Sequence, residues 1–519
     1  MRFMPLHIRV RLCWPVALAG ILLAGSGALA GPVAGPVAAP NHADVPGIDW
    51  YPGDVAGAFE LAARQDKPVF LYWGAKWCPP CQQLKSSVFA RADFIARTRQ
   101  FVAVYLDGDD PGAQKWGETF HVGGYPTVVI LRPDRREVTR LSGGLDLALY
   151  ADLLDKAQGD IRPIDEVVAT LQSAAAALTA ADCRRLAYYG WELADIPADV
   201  RKSRAAALAA AAHSCPQLTA VERARLTVIA TTLAQAPGSV GDIAAIVADP
   251  ALGPAVVDVL EGLDKDFFAA VAATGPEASA RFQRDWERTM DAVANDPRRI
   301  DADQLYAVGM KLEVAKQFAA PGPLPGTLAN DARRRVEAAL ARRTDPYVRA
   351  GVVNAASFIY DQLDDDAAEE ALLRGELLTA RTPYYYMDDL GELEEHHENA
   401  AAALGWYARA WRESQGDATR FQWGNTYLGA LLRLAPDDTP RIRAVAGKVM
   451  ALLDGPDRIS ARSRKGLERL DARLRKWNAD HRHDRDVRVI RARMQGICGR
   501  LPANDVGLDS CRNFLAGAA

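Results

Sequence analysis

Residues 77–81 read Trp-Cys-Pro-Pro-Cys. Two thiols at this spacing can close a small structural staple, supply half of a metal site, or exchange disulfides. A staple across two residues closes so short a loop that it removes little entropy from the unfolded chain. A zinc site needs two further ligands, and the cysteines downstream, beginning with Cys183, stand singly more than 100 residues away. Disulfide exchange needs a thiolate that attacks, a second thiol that resolves the mixed disulfide, and a place where both are reachable. The motif supplies all three, so exchange is the chemistry to expect, with no metal and no cofactor.

Such a pair must be delivered by a rigid element. The apolar run Pro68–Trp73 reads as a short buried strand, and a helix opening at Pro79 or Pro80 sets Cys78 at its N-terminus, where the helix dipole and free N–H groups stabilise negative charge on sulfur. Cys81 falls one turn further in and is the more buried of the two. Cys78 is therefore the expected nucleophile and Cys81 the resolving thiol. Pro79 and Pro80 bring no N–H that could donate to the Cys78 thiolate, while Lys76 favours the anion from a solvated position. The balance is a moderately lowered Cys78 pKa, which suits reduction or isomerisation better than strong oxidation, because strong oxidants owe their potential to an unusually stabilised thiolate.

The neighbouring sequence alternates element types. Residues 56–65 read as a helix, 68–73 as a strand, 81–99 as a helix with a break, 101–107 as a strand and 111–121 as a helix. Two strands follow at 127–133 and 137–143, joined by a turn at 133–136, and a helix at 147–158 closes the unit. Interleaved strands and helices imply a sheet covered on both faces. Between them, Tyr125-Pro126 opens the third strand in the run Val-Gly-Gly-Tyr-Pro-Thr. The order strand, Trp-Cys-Pro-Pro-Cys, helix, strand, Gly-Tyr-Pro-Thr resembles the thioredoxin superfamily. It is most similar to secreted or periplasmic thioredoxin-like modules, including the C-terminal soluble domain of the transmembrane disulfide reductase.

That resemblance covers residues 48–160 and implies a cis Pro126 facing the cysteines, a Tyr125 backbone that pairs with an extended substrate segment, and Trp77 as one wall of the site. Packing at a sheet edge is an equally compatible role for Trp77. The departures matter too. Many thioredoxins carry a buried Asp six residues before the first Cys, partnered by a Lys on the next strand, and the pair assists proton transfer to the resolving thiol. Here that position is Tyr72, and residues 101–106 contain no Lys. Lys85 replaces a carboxylate found near the site in the transmembrane reductase's domain. Water or another group must then carry the proton.

The remaining organisation frames this unit. Residues 1–30 carry Arg2, Arg9 and Arg11 before an apolar stretch and end Ala-Leu-Ala, the pattern of a cleaved signal peptide, with an uncleaved anchor as the rival reading that its short apolar core disfavours, so the expected location is periplasmic or secreted. Residues 31–47 read as a flexible Pro, Ala and Gly linker. Cleavage would remove Cys13, leaving six cysteines, an even number suited to an oxidising compartment. It would also take three positive charges from the formal −4, leaving −7, against a nucleic-acid partner. Nothing after the signal is long and apolar enough to span a membrane.

From residue 161 strand signals vanish, and the fold class is an α/β thioredoxin-like domain followed by a large all-α, helical-repeat-like region. Pro-Gly-Pro-Leu-Pro-Gly at 321–326 divides it into a first helical region, 161–320, and a second, 327–495, with a tail at 496–519. Residues 357–373 align with 390–406 at an offset of 33, suggesting tetratricopeptide-like stacking. Cys183–Cys215 and Cys498–Cys511 are expected structural disulfides; the alternative, that one pair exchanges with Cys78 and Cys81, is not decided by spacing. His396, His397, His481 and His483 read as solvated surface rather than metal ligands, since residues one or two apart do not share a helix face. The turn 107–112 reads as the cap of the next helix rather than a calcium loop.

Three functions compete on this reading: a thiol–disulfide oxidoreductase acting on protein thiols and disulfides with an unidentified redox partner, a helical interaction scaffold, and a chaperone.

Overall fold

A computed structural model of the chain describes residues 47–142, 162–174, 177–194, 196–215, 217–235, 239–319, 322–342 and 344–518. The expected signal peptide, the linker up to residue 46 and the helix expected at 147–158 lie outside the described residues.

Four runs rich in Val, Ile, Leu and aromatic residues form the strands β1 (Val69–Gly74), β2 (Val102–Asp107), β3 (Thr127–Leu131) and β4 (Glu137–Ser142). They assemble in the order β2-β1-β3-β4. β1 pairs parallel with β2, Leu71 opposite Val104, and antiparallel with β3, Leu71 opposite Val129. All six residues of β1 are buried, as a central strand covered on both faces requires. Alternation then splits it. Val69, Leu71 and Trp73 pack with Val55, Ala58 and Phe59 of α1 (Val55–Gln65), while Phe70 and Tyr72 pack with Leu84, Val88, Phe89 and Phe94 on the opposite side. The latter residues come from α2 (Pro79–Leu84), a π-helical turn Lys85–Phe89 and α3 (Ala92–Thr98). The sequence break expected within 81–99 is therefore real. Asp54 caps α1 by accepting the Gly57 N–H at 2.8 Å, and α4 (Pro111–Thr119) follows β2.

The second face of the sheet does not end its core at residue 160. Val167, Leu171, Leu186, Leu208 and Leu226, from four helices within 164–234, share one apolar cluster with Phe70, Tyr72, Val128 and Ile130. Two of those helices start with reciprocal capping boxes, Thr179 with Asp182 and Thr219 with Glu222, the sequence signature of a firm helix start. Inside the cluster Cys183 and Cys215 are bonded, with Cα atoms 5.8 Å apart. Replacing both by alanine is expected to lower stability by roughly 3–4 kcal/mol, the loop-closure value for a separation of about 32 residues. A fall in the denaturation midpoint of the oxidised chain measures it.

The Pro-Gly-Pro-Leu-Pro-Gly stretch does not separate the helices into lobes. Val308 and Val314 before it and Ala332, Val336 and Ile359 after it belong to one continuous core, because the helix after the break folds back on the helix before it. The two segments aligned at an offset of 33 both run through a helix, a tight turn and the next helix. Their N-caps, Asp365 and Asn399, each accept a backbone N–H three residues on. Further along, residues 403–515 enclose a third core, within which Cys498 and Cys511 are bonded. Among the described residues no helix is long and apolar enough to cross a membrane.

Four helices of this region meet the α/β unit at its cysteines: α5 (Pro383–His396), α6 (Ala400–Glu413), α7 (Asp417–Leu434) and α8 (Ala461–Trp477).

Candidate active site

β1 ends at Gly74 and the chain turns through Ala75–Trp77 into α2. The turn is pinned by Gln82, whose side-chain amide donates to the Lys76 carbonyl at 2.6 Å, and Lys76 itself is exposed. Cys78 is the N-cap of α2, with Pro79 and Pro80 at the first helical positions. The backbone N–H of Cys81 lies 3.2 Å from the Cys78 sulfur and points at it. A donor thus survives at the helix start despite the two prolines. Cys78 and Cys81 are bonded, Cα atoms 5.2 Å apart. Opposite them the Tyr125–Pro126 peptide is cis, and the Tyr125 carbonyl oxygen sits 3.7 Å from the Cys78 sulfur.

A family model described as thioredoxin-like matches residues 49–133, the span that holds the sheet, the cysteines and the cis proline. Thioredoxin-1 of Drosophila melanogaster is 34% identical over 76 residues, which are 15% of this chain and 67% of the fly protein. The chain belongs to the thioredoxin superfamily. Thioredoxin-1 of Drosophila yakuba matches to the same extent. The solution structure of a thioredoxin from Thermus thermophilus is similar at 28% identity over 21% of this chain and 86% of that one, with a TM-score of 0.20. The thioredoxin-like domain supports thiol–disulfide oxidoreductase chemistry in general, and its two neighbouring cysteines are placed for it.

Where many thioredoxins bury a carboxylate, this domain builds an aromatic stack. Tyr72 is fully buried, its ring stacked on Tyr105 at 5.3 Å and edge-on to Phe89 at 4.8 Å. Burial, with Asp107 adding to it, pushes the Tyr72 phenol far above its ordinary pKa. It stays protonated and cannot act as a base. Lys85 is also buried: its ammonium lies 3.3 Å from the Tyr105 hydroxyl and 4.9 Å from the centre of that ring. A cation thus lies one turn beyond Cys81, on α2's own continuation rather than on β2.

The expectation that the cysteines are reachable is not met. Cys78 is 3% exposed and Cys81 0%. Ala75, Trp77 and the two cysteines form one apolar cluster with Tyr384 and Met387 of α5, Ala410 of α6 and Trp423 of α7. Trp77 meets the edge of Trp423 at 6.4 Å, and the Arg462 guanidinium of α8 lies 5.0 Å from the Trp77 ring and 5.1 Å from that of Tyr125. Residues more than 300 positions away in sequence thus close the site.

Polar ties flank this contact. Asp109 accepts the Thr419 N–H at 2.7 Å and the Thr419 hydroxyl at 2.8 Å, so it caps the first turn of α7 from a distant stretch of the chain. Gly416, just before that helix, has φ +80°, and a Cβ there would collide with the Asp109 side chain; only glycine satisfies both demands. Burial raises the Asp109 carboxyl to about 6, with Asp107 adding to it, although the Thr419 hydrogen bonds and the Arg462 charge pull the other way. Ser460 donates to Gln114 at 2.9 Å, and Arg464 pairs with Glu118 at 2.5 Å. The 107–112 turn does precede a helix, α4, but its most constrained carboxylate serves α7.

The histidines divide. His396 ends α5, His397 lies 3.1 Å from Asp366, and His481 lies 3.2 Å from Asp484, all at the surface. His483 is not solvated: it is 7% exposed and stacked on Trp477 at 3.9 Å, because the turn after α8 folds its ring back onto that helix. Among the described residues no group of three or more His, Cys, Asp or Glu side chains fits a metal ion.

Proposed function

We propose that this chain is an exported thiol–disulfide oxidoreductase that works by its Cys78/Cys81 dithiol, as a reductase or isomerase rather than a strong oxidant. The observation that carries the reading is the placement of the pair at the head of α2, facing the cis Tyr125–Pro126 loop. In the reducing direction the Cys78 thiolate attacks a sulfur of a substrate disulfide, forming a mixed disulfide and releasing one substrate thiolate. The Cys81 thiolate then attacks the Cys78 sulfur, releasing the second, and the two electrons have passed to substrate. The resulting Cys78–Cys81 disulfide must be reduced by a separate dithiol partner.

The direction of electron flow is supported by the thiolate's surroundings. The prolines withhold two N–H donors from Cys78, leaving that of Cys81. Substrates are protein thiols and disulfides, and the helical region recruits them or the partner. The leader-like residues 1–30 and the even number of cysteines after them favour a periplasmic or secreted site. A measured reduction potential tests the direction: a value near that of thioredoxin, about −270 mV, is expected, whereas one near about −120 mV would make the protein an oxidant.

The burial of the pair favours a second reading, a helical interaction scaffold in which the thioredoxin-like unit is a fixed docking element. Turnover lost or retained on Cys78→Ser separates the two.

A further inference from the structure

We propose that helices α5–α8 are a displaceable cover on the dithiol, one that yields to an extended cysteine-bearing polypeptide segment and excludes bulky reactants while shut. This rests on the exchange reading above. The contact is tight at its centre, where Trp423, Tyr384 and Met387 close over Trp77, Cys78 and Cys81. Its chemistry, however, is that of a seam rather than of a finished core. Buried polar atoms without a hydrogen-bond partner lie along it: the indole N–H groups of Trp77 and Trp423, a terminal nitrogen of Arg462 and Glu118 Oε2. Each such orphan forfeits its hydration, and several together make the closed arrangement easy to open. A crevice lined by Asp109, Gln114, Phe421 and Arg458 runs into the same junction.

The orphans also indicate what the open site accepts. Two indole N–H groups and a guanidinium are donors, whereas an extended peptide offers a row of carbonyl acceptors. Such a segment lying along the cis-proline loop would present its sulfur to Cys78 and its carbonyls to Trp77 and Arg462. A folded domain carrying its disulfide on a broad face would clash with α5 and α7.

The test uses the full chain with Cys81→Ser, which leaves a free thiol at Cys78. Labelling there is read by peptide mapping with two reagents, iodoacetamide and a maleimide carrying a long polyethylene glycol chain. With the cover shut, the bulky reagent should label Cys78 at least about tenfold more slowly, relative to a free cysteine peptide, than the small one does. Adding Trp423→Ala should raise the bulky rate by at least about tenfold, equivalent to about 1.4 kcal/mol in the opening equilibrium. Thr419→Val, which removes one hydrogen bond to Asp109 without emptying the aromatic cluster, should raise it in the same direction. Equal normalised rates for both reagents in the parent chain, or a bulky rate unmoved by either substitution, overturns the proposal. Because labelling requires no turnover, failure of the exchange chemistry would leave this result standing.

Discussion

Cys78→Ser is expected to reduce dithiothreitol-dependent turnover of a small model disulfide to the uncatalysed background, a fall on the order of 10³-fold. The serine hydroxyl has nearly the shape of the thiol and remains a cap for α2, able to accept the Cys81 N–H as the sulfur does at 3.2 Å. The fold should therefore survive, and the loss is chemical. A small disulfide is the right substrate because Cys78 lies beneath Trp423 and Met387. Activity equal to that of the parent would remove the enzyme reading and leave the scaffold.

The largest expected stability effect lies on β4. Arg140, 1% exposed, forms two hydrogen bonds to the Glu137 carboxylate at 3.0 and 3.1 Å, and donates to the carbonyls of His121 at 2.7 Å and Leu193 at 3.0 Å as well as to that of Phe120. One guanidinium thus ties the sheet, the end of α4 and the first helices of the all-α region. Arg140→Met keeps much of the volume but leaves the half-buried Glu137 without its cation, with the Tyr189 hydroxyl still donating to it, and three carbonyls short of a donor. A cost of about 3–5 kcal/mol is expected for such a broken buried pair, read as a lower denaturant midpoint. Arg91→Met, at an ion pair in which both side chains are about half exposed, should show no measurable change. An Arg140→Met loss below about 1 kcal/mol would mean that water takes over the guanidinium's role.

Why the strands and the cysteine pair were legible while the cover was not is a matter of range. β1 to β4 announce themselves through apolar runs bounded by turn residues, and Cys78 announces itself through the strand before it and the prolines after it. Those signals lie within a few residues of one another. Asp109 and Thr419 are 310 positions apart, and Gln114 and Ser460 are 346 apart. No periodicity links them. Gly416 before an ordinary helix start was the nearest hint, a residue whose backbone demands glycine beside a partner that cannot be guessed. Arg140 was hidden for a related reason: an arginine in a strand reads as an outward side chain until the carbonyls around it are known. His483 misled in the same way, as a polar type that the packing buries.

The shared core and the late-arriving cover also set an order of assembly. As the chain is made from its N-terminus, Cys78 and Cys81 emerge early, and the apolar second face of the sheet stays unfinished until residues up to about 230 follow. The cover arrives later still, with residues 384–462. During that interval the nascent chain presents an uncovered dithiol just as Cys183 and Cys215 come into reach. A pairing of either with Cys78 is then a kinetic hazard of a long-range topology. Closing the Cys183–Cys215 bond beside Leu186 and Leu208, before α5–α8 seal the site, keeps the reactive pair free for its own chemistry.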